Sequence, residues 1–167
     1  MGPRFNYMEL SPELSRKLFE LSKTLEHGSL GNTLIDLVNI RASQINGCAF
    51  CLDMHCKEAK IHGEGELRLY HVAIWRESPL FSDRERAALE WTEAVTRLGT
   101  NGVTDEVYEK VKAQFDDKEL SELTFAVGII NLWNRLNVCA LTVPGSADET
   151  LGLTKAGLSE TPRSANA

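Results

Sequence analysis

The sequence has no apolar run approaching the ~18 residues that a membrane span requires, and Met1-Gly2-Pro3-Arg4-Phe5-Asn6-Tyr7 lacks the apolar stretch of a secretory leader. No cluster of Lys and Arg occurs, and the formal net charge is -6, which argues against nucleic acid, whose binders usually carry a basic patch. These absences predict a cytoplasmic protein with neither membrane nor nucleic acid among its partners. Four cysteines in 167 residues do not suggest a disulfide scaffold, and in a reducing compartment a Cys-x-x-Cys pair more often serves redox chemistry or metal binding. No segment shows convincing period-two alternation, and no internal repeat of solenoid length is detectable. What is present, 43% hydrophobic and 25% charged residues, is ordinary for a single globular domain with one filled core.

The apolar spacing is helical throughout. Ser11-Pro12-Glu13 reads as an N-cap, a proline at the first helical position and an acid in the first turn, followed by Leu14, Leu18, Leu21 and Leu25 and stopped by Gly28. A second helix carries Leu34, Leu37, Val38, Arg41 and Ile45 on one face and closes at Asn46-Gly47. Further helices are predicted from Cys48 to His62, from Glu64 to Trp75, from the capping box Ser82-Asp83-Arg84-Glu85 through Val95, and after Thr104 through Val111. The most apolar runs from Leu120 to Leu141 and is bounded by Pro144-Gly145. The expected fold is all-α, a bundle of about seven helices in one domain over residues 1–143. Residues 144–167, rich in Gly, Ser, Thr and Ala and without aromatics, are expected to form an extended or flexible tail.

The chemistry concentrates in Gln44-Ile45-Asn46-Gly47-Cys48-Ala49-Phe50-Cys51-Leu52-Asp53-Met54-His55-Cys56. At about 100° per residue, Cys48, Cys51 and His55 fall within roughly 60° of one another on one helix face, with Cys56 further round and Lys57 nearly opposite. A cysteine in the first turn sees unpaired N–H groups and the positive end of the helix dipole, which favours Cys48 as the thiolate. A second cysteine three residues on can close a disulfide, and a histidine one turn beyond exchanges protons near neutral pH. Attack of a thiolate on a peroxide, followed by disulfide formation, needs those groups: two sulfurs and a proton donor.

Two other uses of the same residues stand beside this one. Zinc could be counted onto Cys48, Cys51, His55 and Cys56, but four ligands on one helix cannot surround an ion without unwinding it, so no metal or cofactor is expected. The pair could also act as a thiol-disulfide oxidoreductase or redox sensor without peroxide.

The run from Arg41 to His55, together with Leu69-Tyr70-His71-Val72-Ala73-Ile74-Trp75-Arg76-Glu77, Arg84-Glu85-Arg86-Ala87-Ala88-Leu89 and Asn131-Leu132-Trp133-Asn134-Arg135-Leu136, resembles the AhpD-like alkylhydroperoxidases of the carboxymuconolactone decarboxylase superfamily. The resemblance spans roughly residues 30–140, and the Cys-x-x-Cys with its downstream histidine selects the redox branch. It implies a peroxidase in which Cys51 attacks the hydroperoxide, Cys48 resolves it, and His55 moves protons together with the acid twelve residues before Cys48, here Asp36. It further implies a dithiol electron donor, whether dihydrolipoyl, thioredoxin-like or a small thiol, and a homotrimer or homohexamer, and the apolar helix from Leu120 to Leu141 fits an obligate interface. The chain departs from the family in carrying Asp36 where glutamate is usual and Phe50 where the best-known members have histidine.

Overall fold

The computed structural model describes residues 2–158, and its regular elements there are helical: α1 (Tyr7–Leu10), α2 (Pro12–Glu26), α3 (Asn32–Asn46), α4 (Ala49–Ile61), α5 (Glu66–His71), α6 (Asp83–Thr96), α7 (Asp105–Lys112), α8 (Asp117–Ala140) and α9 (Asp148–Leu151). Two 3-10 turns, Val72–Ile74 and Leu153–Ala156, complete them. The fold is all-α. Seven of the nine helices among the described residues are those the apolar spacing predicts, and α1 and α9 are single turns too short to show a period. The helix expected to reach Trp75 leaves α-geometry at His71 and tightens into the 3-10 turn, where the His71 ring meets the Ser78 hydroxyl at 2.9 Å. α8 begins one turn earlier than its apolar pattern, because Asp116 and Glu119 form a reciprocal capping box.

α3 is the central element. Its Leu34, Ile35, Leu37, Val38 and Ile40 are apolar on almost every side, the pattern of a helix enclosed by others. It packs against α4, α6 and α8. Leu34, Ile35 and Val38 enter one cluster with Ala88 and Trp91 of α6, Val111 of α7 and Leu123 and Val127 of α8. Leu37 and Ile40 enter a second with Ala59 of α4, Leu69 of α5, and Val72, Trp75, Phe81 and Leu89. At roughly 1.5–3 kcal/mol for each large apolar side chain removed from water, these two faces fix where α3 lies, and α4 follows it directly.

The C-terminal stretch differs from expectation as far as it is described. Instead of extending away, the turn Leu153–Ala156 lies on α4 with Leu153 buried, and Asp148 at the start of α9 reaches α4 through its side chain. The anchor is ionic. Lys57 is buried, and its Nζ lies 2.7 Å from Asp53 and 2.7 Å from Asp148. Lys57 does lie away from the cysteine face, but the folded-back segment covers it. Residues 159–167 of the expected tail lie outside the described residues.

Candidate active site

Gly47 is where α3 stops and the site begins. It adopts the left-handed conformation, φ 64°, and the N–H groups of Gly47 and Cys48 return to the carbonyls of Gln44 and Ser43. That double closure turns the chain within two residues. Cys48 is therefore the residue just past the end of α3 and also the N-cap of α4, its sulfur accepting the N–H of Cys51 at 3.3 Å. The turn is fastened to α8 by amides. Nδ2 of Asn46 donates to Oδ1 of Asn131 and of Asn134, and Asn134, fully buried, donates onward to Ser43. The polar residues of the apolar α8 thus find buried partners within the chain.

Cys48 and Cys51 are joined as a disulfide, with Cα atoms 5.4 Å apart, and are 2% and 1% exposed. His55 follows Cys51 by four residues, one turn along the same face. It is 7% exposed, and its Nε2 is buried with no hydrogen-bond partner among the described residues. Its Nδ1 lies 2.6 Å from Oε2 of Glu58, a residue the sequence reading did not single out. The i,i+3 spacing of His55 and Glu58 was its available signal.

Asp36 is buried in α3 as its apolar neighbours imply, and burial raises its carboxyl above the ordinary value, with the His62 contact opposing. Its partner is unexpected. Oδ2 of Asp36 lies 2.7 Å from Nδ1 of His62, the residue that closes the C-terminus of α4. Glu58 behaves oppositely: burial pushes its carboxyl up, but the hydrogen bond with His55 and the charges of His55, His62 and Lys23 together hold it below the ordinary value. Two imidazole–carboxylate pairs thus lie along α4, His55 with Glu58 and His62 with Asp36. Beside the second is an open polar cavity of about 320 Å³ bordered by Thr33, Gly63, Glu64, Arg68 and Glu85.

Contacts from distant sequence complete the surroundings of the sulfurs. Nδ2 of Asn137, on α8, lies 3.5 Å from Sγ of Cys51, and the Tyr7 hydroxyl lies 2.9 Å from Oδ1 of Asn137. Nothing in the spacing of those residues pointed to the site. Cys56 packs against the second apolar cluster, and burial, reinforced by Asp53, pushes its thiol up to about 11. Cys139 is exposed. Among the described residues, no three His, Cys, Asp or Glu side chains are arranged to hold a metal ion, and no helix there is long and apolar enough to cross a membrane.

The sequence profile of the carboxymuconolactone decarboxylase family matches residues 9–94, from α2 into α6, including the whole Cys-x-x-Cys turn and α4. The chain belongs to that family. It is 37% identical over 138 residues to the uncharacterized protein YdfG of Bacillus subtilis, spanning 83% of this chain and 94% of that one. It is 41% identical over 109 residues to the uncharacterized protein YnjA of Escherichia coli, 65% of this chain and 58% of that one. Among solved structures it superposes with TM-score 0.82 and 39% identity on ATU0492 of Agrobacterium tumefaciens, a protein of unknown function proposed as the antioxidant defence protein AhpD, covering 85% of this chain and 97% of that one. The debrominase Bmp8 shares the fold at TM-score 0.74 and 18% identity, with coverage of 89% and 80%. This member of the family is AhpD-like, with the Cys48-x-x-Cys51 pair in place.

Proposed function

We propose that the protein is a thiol-dependent peroxidase that reduces organic hydroperoxides. The observation that carries the reading is the buried Cys48–Cys51 disulfide at the start of α4 with His55 one turn on, its Nε2 lacking any partner among the described residues. Cys51, as thiolate, attacks the terminal peroxide oxygen. An S–O bond forms, the O–O bond breaks, and the alkoxide leaves as the alcohol with a proton from His55. Cys48 then attacks the Cys51 sulfenic acid, forming the S–S bond and releasing water. An external dithiol, whether dihydrolipoyl, thioredoxin-like or a small thiol, returns two electrons and two protons. Glu58 holds the ring of His55 and balances its charge, and Asp36 acts at one remove through His62. The protein works in the cytoplasm as a homotrimer or homohexamer, the exposed Phe125, Leu132 and Val138 of α8 supplying apolar contact surface.

Stopped-flow mixing of the reduced protein with cumene hydroperoxide tests this. Wild type should lose two thiols and form the Cys48–Cys51 disulfide, Cys48→Ser should stop at a dimedone-reactive sulfenic acid, and Cys51→Ser should consume no peroxide. Peroxide consumption by Cys51→Ser at the wild-type rate sinks the reading.

A further inference from the structure

Asn137 projects one amide between three partners, and their chemistry leaves one arrangement. The carbonyl of Trp133, 2.9 Å from Nδ2, is acceptor-only, so the amide nitrogen must face it. The second N–H of that nitrogen is the one available to the Cys51 sulfur at 3.5 Å. Oδ1 is left to accept the Tyr7 hydroxyl at 2.9 Å. Burial lifts the Tyr7 phenol above its ordinary value, the Asn137 contact pulling the other way, so at neutral pH that oxygen carries a proton to donate. Tyr7 is itself held in place. Its ring packs 6.3 Å from that of Trp133, whose Nε1 donates to Ser22, and the backbone N–H of Arg4 donates to the carbonyl of Ala140 at 2.7 Å. The N-terminal segment is thus pinned along α8 beside the disulfide.

We propose that Asn137 is a catalytic residue whose side-chain N–H stabilises the Cys51 thiolate, and that Tyr7 is the positioning residue that keeps this N–H turned toward the sulfur. An N–H donor favours the ionised form of the group it meets, so the contact acts on the thiolate more than on the thiol. It also gives Cys51 a second source of acidity besides the start of the helix, which by itself favours Cys48. The ionisable groups along this part of α4 are Asp53, His55, Cys56, Lys57 and Glu58 on the helix itself, Asp36 from α3, Tyr7 from α1 and Asp148 from the C-terminal segment, whose carboxylate and that of Asp53 are both paired with Lys57. From α8 the group touching Cys51 is the neutral amide. The inference rests on Cys51 being the reacting thiol.

The test follows thiolate absorbance at 240 nm against pH in the reduced full-length protein carrying Cys48→Ser, alone and with Asn137→Leu or Tyr7→Phe, and follows oxidation by cumene hydroperoxide in parallel. Asn137→Leu should raise the apparent pKa of Cys51 by about one pH unit and slow its oxidation at neutral pH about tenfold. Tyr7→Phe retains the ring against Trp133 and should move both readings the same way by a smaller amount. Unchanged pKa and rate in a folded Asn137→Leu overturn the role of the amide. If that variant does not fold, Tyr7→Phe decides: an unchanged pKa overturns the proposal, and a raised one supports it. The absorbance titration needs no peroxide, so a raised pKa in a protein whose wild type ignores hydroperoxide would uphold the contact while the peroxidase reading fails.

Discussion

Nδ1 of His55 lies 2.6 Å from Oε2 of Glu58, one turn further along the same helix. Such a pair is set by α4 alone, whatever the helix packs against. Asp36 reaches α4 from a different helix with a side chain one methylene shorter than glutamate, and its hydrogen-bond partner is His62, at the C-terminal end of α4, instead of His55. Each imidazole has its own carboxylate, and the one beside the disulfide answers to Glu58.

Glu58 should therefore matter more to peroxide chemistry than Asp36. Replacing His55 by Ala is expected to slow Cys51 oxidation on the order of a hundredfold, the lower range for loss of a positioned acid or base. Glu58→Gln should cost about tenfold and Asp36→Asn no more than about threefold, as partners that act through an imidazole. Single-turnover rates of the three variants decide it, and an Asp36→Asn slower than Glu58→Gln would reverse the assignment.

Gly47→Ala should destabilise the fold by about 1–2 kcal/mol, the usual cost of a left-handed non-glycine residue. A Cβ there meets nothing within 4 Å, so the cost is purely that of the backbone at φ 64°. Because this turn sets the position of Cys48, disulfide formation after peroxide should also slow. Urea denaturation gives the first quantity and the rate of thiol loss the second.

Glu93 is buried in α6 and accepts from Trp75 Nε1, Arg41 Nε and Arg76 Nη1 at 2.9, 2.8 and 2.7 Å. Burial opposes its charge, but those donors hold its carboxyl below the ordinary value. An acid with a depressed folded pKa contributes stability that is present above its unfolded pKa and lost as pH falls through the folded one. Glu93→Ala should cost about 3–5 kcal/mol near neutral pH, since it strands Arg41. The gap between wild type and variant should narrow as pH drops below the ordinary carboxylate range, which unfolding curves at several pH values would register. A gap constant down to strong acid would contradict the ion-pair account.

Cys56, with its thiol pushed up to about 11, should be the slowest cysteine to alkylate. At pH 8 only about a thousandth of it is thiolate. Iodoacetamide added to the reduced protein should mark Cys139 first, because it is exposed, and spare Cys56. Peptide mass mapping over time would show the order, and early labelling of Cys56 would count against its packed environment.

Most of the helices were legible because their signals are local. Ser82 with Glu85, Thr104, Pro12 and Gly47 mark ends through neighbours only a few residues away, and the apolar period of α3 and α8 shows which faces must be buried. The gathering of Cys48, Cys51 and His55 was legible for the same reason, since the geometry of a helix places its own residues. Single-turn α1 and α9 were not, because four residues carry no period.

The sequence by itself thus determined the helical frame and the reactive face of α4, both consequences of backbone geometry over short separations. The partners of that face were decided by tertiary structure. Asp36 with His62 depends on how α3 lies against α4, Asn137 with Cys51 joins residues 86 apart, Tyr7 with Asn137 joins residues 130 apart, and Lys57 with Asp148 brings back a segment that looked like a tail. Such pairs form only after the apolar faces of α3 and α8 have packed and set the register at which side chains from distant sequence meet.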